Sequence, residues 1–212
     1  MRCQTKAVWL RTGAVLLSTN EMEWLAQAIQ GDSIAFAQLV EAYQRPVYNL
    51  CYRMLGNAQD AEDGAQETFL RAYKSLKRYD QTRPFSTWLL SIAAHYCIDQ
   101  IRRRRVPLVA IEELPVPDVP DPQPGLETQV GRNEEQNRIR KLLDILEPAD
   151  RAAVVMYYWY DFSYDEICHA LSLTTSAVKS RLHRARRAMA EHWLAQQSTI
   201  PMKERAGHES LI

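Results

Sequence analysis

Apolar residues recur at steps of three and four along most of this chain. Trp24, Leu25, Ala28 and Ile29 mark a first amphipathic segment, which Gly31-Asp32 interrupts. Ile34, Phe36, Leu39, Val40, Tyr43, Val47, Leu50, Cys51, Met54 and Leu55 then carry the stripe to Gly56-Asn57. That spacing keeps one face of a helix apolar. Ala61, Ala65, Phe69, Ala72, Tyr73 and Leu76 predict a helix over about 60–77. Phe85, Trp88, Leu89, Ile92, Ala93 and Tyr96 predict another over about 85–105, with Pro84 suited to its start. Ile139, Leu142, Leu143 and Leu146 predict a helix that stops before Pro148, and Val154, Val155, Tyr158 and Trp159 belong to the next. No strand hairpin and no long-period repeat is visible, so the predicted fold class is all-α.

The last pattern is two short helices with a tight turn. Ser163 can cap a helix whose first turn holds Asp165 and Glu166, where the macrodipole favours acids. Tyr164, Ile167 and Leu171 give that helix its apolar face. Ser172-Leu173-Thr174 fits a turn, and Thr174 or Thr175 can cap the second helix. Val178, Leu182, Ala185, Met189 and Trp193 then form a stripe predicted to pack inward. Ser176, Lys179, Ser180, His183, Arg184 and Arg187 fall outside it, and Lys179, Arg181, Arg184, Arg186 and Arg187 concentrate positive charge. Cations neutralise phosphates and read guanine edges, while small hydroxyl residues allow close approach. The N-terminal part of such a helix meets the bases, so Ser176, Lys179, Ser180 and His183 are the candidate readers and Arg184, Arg186 and Arg187 the backbone contacts.

Proline divides the chain. Residues 107–130 hold six prolines, five acids and no base. This density blocks helix and sheet, and so long a structureless stretch does not fit inside a compact domain. The expected organisation is an N-terminal extension (1–21), a helical domain (22–106), a linker (107–130), a helix-turn-helix domain (131–197) and a polar tail (198–212). The linker reads either as a semi-extended spacer or as an acidic strand suited to a partner's basic channel.

Charge adds to this picture only when counted by segment. The chain carries 26 basic and 26 acidic residues, a balance that looks wrong for a nucleic-acid binder. Segregation removes the difficulty, because the linker takes acids alone and the helix ends take clustered arginines. Cys3, Cys51, Cys97 and Cys168 are scattered without metal spacing and read as reduced, mostly buried thiols of a cytoplasmic protein. No metal site or cofactor is expected. No run reaches the roughly 18–20 apolar residues of a membrane span. The stretch 7–17 resembles a signal peptide faintly, but Arg11 interrupts it and no small-residue cleavage site is found after it. It is expected to be a disordered basic arm, or untranslated with Met22 as the start.

Two segments of the first domain carry chemistry. On 60–76, Asp63, Gln66, Glu67 and Leu70 share one face. Like charges four apart weaken an isolated helix by a few tenths of a kcal/mol, so an acid–amide–acid–leucine face points to a partner, although Glu67 can also simply pair with Arg71. On 77–105, Tyr79 and Phe85 flank the polar loop Asp80–Arg83, and the helix ends in Arg102–Arg105. Exposed rings beside cations suit single-stranded bases. Four successive arginines repel one another unless a polyanion is near. A stand-alone helix-turn-helix repressor or activator accounts for 162–193 but leaves these two segments unexplained. An enzyme finds no phosphate loop, metal cluster or nucleophile–base pair to support it.

Together DAEDGAQETFLRAYKSL, RPFSTWLLSIAAHYCIDQIRRRR and SYDEICHALSLTTSAVKSRLHRARRAM resemble, in order and spacing, the extracytoplasmic-function class of bacterial RNA polymerase sigma factors. The resemblance covers about 22–195. It implies two small helical domains, no catalytic residues, and core RNA polymerase and promoter DNA as partners. Asp60, Asp63, Gln66, Glu67 and Leu70 would dock on the polymerase's largest subunit. Tyr79, Asp80, Arg83 and Phe85 would capture a base from the melted non-template strand of the −10 element, with His95, Asp99, Arg102 and Arg103 along the adjacent duplex. Ser176, Lys179, Ser180, His183, Arg184 and Arg187 would read the −35 element. The acidic linker would thread the polymerase, and an anti-sigma partner is compatible with the family. Gly64 departs from the pattern, standing where the family usually has a bulky aliphatic residue.

Overall fold

In the computed structural model, residues 21–105 and 128–198 are described, and all of their regular structure is helical. The proposed arm, most of the linker and nearly all of the tail lie outside the described residues. The helices are α1 (21–29), α2 (Ser33–Leu55), α3 (Ala58–Ser75), α4 (Phe85–Arg105), α5 (Thr128–Asp144), α6 (Pro148–Trp159), α7 (Tyr164–Leu171) and α8 (Thr175–Ser198). A short 3-10 turn, Leu76–Arg78, comes after α3.

The breaks fall where the caps are. Asp32 accepts hydrogen bonds from Ile34 N and Ala35 N at the start of α2. Gly56 closes that helix in the left-handed region at φ 86°, which a residue without Cβ adopts without strain. Asn57 then caps α3 through Asp60 N. Pro46 sits inside α2 without ending it. Two expected boundaries shift. Glu21 is helical and accepts Tyr43 Oη at 2.7 Å, so the first domain starts before 22. Residues 128–130, expected in the linker, already belong to α5.

Helices α2, α3 and α4 pack on one another around Leu39, Val47, Leu50, Met54, Ala61, Leu89 and Ala93. Helices α6, α7 and α8 pack around Val154, Val155, Ile167, Val178 and Leu182. The two sets meet directly: α4 lies against α6 and α7, α2 lies against α5 and α6, and the buried residues form one continuous core. At this junction Arg151 Nη1 donates to Met54 O at 2.7 Å, Tyr160 Oη to Pro46 O at 2.6 Å, and Arg140 Nη1 to Gly56 O at 3.2 Å. Arg53 lies over the Trp159 ring, 5.2 Å from its centre.

Gly64 is explained by this packing. It is buried on α3, and a Cβ there would stand 3.1 Å from Cys51 Sγ and 3.3 Å from Tyr96 Cε1. The expected bulky residue would press on Cys51 of α2 and Tyr96 of α4.

Candidate nucleic-acid interface

The face of α3 expected to meet a partner is open at Asp63, Gln66 and Leu70, and Leu70 is 54% exposed. Glu67 is half-buried and accepts Arg71 Nε at 2.7 Å, the local pairing its spacing allows. Asp60 departs from the expectation. Its carboxylate accepts Arg104 Nη2 at 2.5 Å across the α3–α4 junction, as well as Asn57 Nδ2. The bond from Arg104, ahead of that from Asn57, holds its pKa below the usual carboxylate range against the opposing effect of burial. Asp60 therefore ties two helices together and does not belong to an open acidic face. Tyr73 on α3, expected in the buried stripe, is 49% exposed with its ring edge on Phe36.

The loop after the 3-10 turn corrects a second expectation. Tyr79 and Phe85, expected to be exposed rings, are only 8% and 4% exposed, and for Phe85 the apolar stripe of its helix is the reading that holds. They pack on each other, on Trp88 and, through Phe85, on Tyr43 of α2. Neither ring offers a face for a base to stack on. They form the floor of a loop whose polar edge is exposed. Asp80 Oδ1 accepts Thr82 N at 3.0 Å and Thr82 Oγ1 at 2.7 Å, and Arg83 Nε lies 3.4 Å from Asp80 Oδ2. The bonds from Thr82 hold the Asp80 carboxyl below its ordinary pKa. Tyr79 Oη donates to Arg83 O and fastens the loop to its aromatic base. Along α4, His95, Asp99, Arg102 and Arg103 are all exposed, and His95 Nδ1 stands 2.8 Å from Ser91 O.

The helix-turn-helix matches its sequence closely. Ser163 and Glu166 make a reciprocal capping box on α7. Ser172 takes the left-handed conformation at φ 54°, and Thr174 Oγ1 accepts Ala177 N at 3.2 Å to open α8. Val178, Leu182 and Ala185 are buried, but the stripe fades at Met189, and Trp193 is 39% exposed. The last turns of α8 are mostly exposed. Ser176, Lys179, Ser180, His183, Arg184 and Arg187 are all exposed. Tyr164, Lys179, Ser180, His183, Arg184 and Arg186 line one shallow basic depression.

Several interactions of this face had no sequence signal. Lys179 Nζ lies over the Tyr164 ring, 5.8 Å from its centre, and Tyr164 is stacked in turn on Tyr157. Asp150, buried in the first turn of α6, accepts Arg181 Nη1 at 2.7 Å and Arg184 from a second side. Arg187 Nε is bonded to Glu191 at 2.7 Å, which raises the guanidinium's pKa. The partners on other helices lie beyond what the spacing of α8 reveals, whereas Arg187 with Glu191 is a four-residue pairing that helical spacing allows. Among the described residues no cluster of His, Cys, Asp or Glu could hold a metal ion, and no helix is long and apolar enough to cross a membrane.

Comparison with known proteins agrees with this layout. Residues 39–106 match the model of sigma-70 region 2, and residues 136–189 match that of sigma-70 region 4. Over 176 residues the chain is 36% identical to the ECF RNA polymerase sigma factor SigW of Bacillus subtilis, covering 78% of this chain and 92% of that one. It is 35% identical over 160 residues to the ECF RNA polymerase sigma factor SigE of Mycolicibacterium smegmatis, covering 73% of this chain and 60% of the longer relative. Among solved structures, CnrH in complex with the cytosolic domain of CnrY superposes with a TM-score of 0.62 at 26% identity, over 84% of this chain and 99% of that one. The sigma factor RpoE in complex with the anti-sigma factor NepR from Bartonella quintana superposes with a TM-score of 0.54 at 22% identity, over 74% and 94%, and shares the fold.

Proposed function

The chain belongs to the extracytoplasmic-function class of sigma-70 RNA polymerase sigma factors, and on that premise we propose how its own residues divide the work of directing promoter-specific transcription. One observation carries the division: a single chain exposes an acid–amide–acid–leucine face on α3 and a basic face on α8. We assign Asp63, Gln66, Glu67 and Leu70 to core polymerase, with apolar Leu70 beside the acids that select a basic surface. Asp80 and Arg83 meet the melted non-template strand of the −10 element from the rigid loop, with Tyr79 and Phe85 beneath them as supports. His95, Asp99, Arg102 and Arg103 lie along the adjoining duplex. Ser176, Lys179, Ser180, His183, Arg184 and Arg187 meet the −35 element.

Melting in this scheme is driven by binding energy gained on the unstacked strand, and the chain supplies no catalytic group of its own. A protein antagonist, of the kind bound to RpoE in its solved complex, is proposed as a further partner. The proposed site of action is the cytoplasm.

The test is run-off transcription with purified core polymerase on fragments of the source genome. The full chain should give core-dependent transcripts from discrete start sites. Asp63→Arg with Glu67→Arg should abolish co-purification with core and the transcripts together, while the far-ultraviolet spectrum stays helical. Core binding at wild-type strength by that double variant would remove α3 from the docking surface.

A further inference from the structure

We propose that Asp150 is a positioning residue for DNA reading: from inside the second domain it holds Arg184 so that one edge of the guanidinium faces outward from α8. The inference rests on the reading of α8 as the DNA-contacting helix. Asp150 is only 5% exposed. A buried carboxylate needs charged or hydrogen-bonding partners, and Arg181 already provides one at 2.7 Å from a half-buried position. A second arginine is not needed to neutralise a single charge. Yet Arg184, with a side chain 61% exposed, also bends down to it.

The geometry of that second contact is particular. Arg184 Nε lies 3.3 Å from Oδ2 and Nη2 lies 3.2 Å from Oδ1. The side edge of the guanidinium, Nε with Nη2, is therefore the one on the carboxylate. The opposite edge, Nη1 with the second hydrogen of Nη2, points away from Asp150. A planar fork fixed along one edge presents its other edge in a single direction, which suits bidentate contact with guanine O6 and N7 and gives Arg184 a base-reading role where its position along α8 alone gave it the backbone. Lysine has no second edge to be aimed in this way. Holding the side chain before DNA arrives also lowers the rotamer freedom lost on binding.

The same contact fixes α8 to α6. Asp150 stands in the first turn of α6, and its two arginine partners are three residues apart on α8. Ser180 and His183, two of the candidate base readers, lie immediately before those arginines and line the same depression as Arg184. One buried acid thus sets the aim of Arg184 and the seating of the helix turn that carries these neighbours.

The experiment uses holoenzyme reconstituted from the full chain and core polymerase. It is first offered duplexes randomised across the upstream element, and the preferred duplex is then compared with one scrambled there. The readouts are the ratio of the two affinities and the slope of affinity against salt. Asp150→Asn should lower the ratio about tenfold, because a freed guanidinium no longer distinguishes the upstream bases. The slope should be kept, since the cation still meets phosphates. Arg184→Lys should lower the ratio similarly with its slope kept, and it decides the question should Asp150→Asn fail to fold. A wild-type ratio in both variants, or in Arg184→Lys alone should Asp150→Asn fail to fold, overturns the proposal. So does an equal fall on both duplexes, which marks a structural defect. A wild-type holoenzyme that forms but selects no upstream sequence overturns the reading of α8 itself.

Discussion

Arg104 Nη2 and Asn57 Nδ2 both donate to Asp60, and the carboxyl's depressed pKa is a statement about stability. An aspartate titrating below its unfolded value of about 3.9 stabilises the folded state at every pH above that value. The contribution is lost as pH falls through the lower, folded-state value. Arg104→Gln should therefore bring the Asp60 carboxyl back up toward its ordinary range, which carboxyl NMR titration measures. Its stability deficit against wild type should be full above about pH 4 and shrink below it. A deficit unchanged at the acid end would mean that Arg104 acts by packing alone. The family resemblance reads Asp60 as a docking acid, the run of four arginines reads Arg104 as a polyanion contact, and neither reading foresees the other. Their pairing joins positions 44 apart, beyond what helical spacing encodes. The burial of Tyr79 is hidden for the same reason, whereas Phe85 already stands on the apolar stripe of α4. Local sequence shows two rings beside a polar loop, and only the fold packs Tyr79 on Phe85 and Trp88 and brings Tyr43 against Phe85.

At the scale of elements, Gly64 controls how closely α3 approaches α2 and α4. A Cβ here faces Cys51, which is fully buried; the Cys51 thiol, ahead of burial, pushes the pKa of the neighbouring Cys97 thiol up. Gly64→Leu adds volume against Cys51 and Tyr96, and overpacking of this kind costs about 1–3 kcal/mol. The expected result is a lower urea midpoint with an unchanged slope. Adding Cys51→Ala should recover part of the loss by clearing the 3.1 Å approach. No recovery would place the strain elsewhere. Element positions themselves are readable, because each break carries local chemistry: Asp32, Gly56-Asn57, Ser163 with Glu166, and Thr174 all cap helices at the places their residue types favour. The periodic stripe of α8 holds as a guide to burial only through Ala185, since Trp193 at its end is exposed. A repeat such as Met189 to Trp193 marks which side could be buried, and only tertiary packing decides how much of it is.

The whole molecule raises a question that proline content cannot answer, namely whether the two helical sets are independent. They are not, because α2 ends on the second domain. The last carbonyls of a helix have no partner within it. Here Met54 O receives Arg151 and Gly56 O receives Arg140, both cations placed at the C-terminal, negative end of the α2 dipole. Arg151 is only 5% exposed and also lies 3.0 Å from Asp144 Oδ1, so its charge is held from both sides. Arg151→Met keeps most of the buried volume but removes the donor to Met54 O and the partner of Asp144. Leaving a buried acceptor unsatisfied costs about 1–3 kcal/mol. Wild-type protein should unfold in urea in one transition, with far-ultraviolet dichroism and tryptophan fluorescence coincident, since Trp88 and Trp159 sit in different helical sets that share a core. Arg151→Met should lower the midpoint and separate the two signals as the sets come apart. Arg140→Met, which loses a longer and exposed bond, should change stability by no more than about 1 kcal/mol. Coincident transitions at the wild-type midpoint in Arg151→Met would show that the apolar contacts of α4 with α6 and α7 hold the junction without the cap.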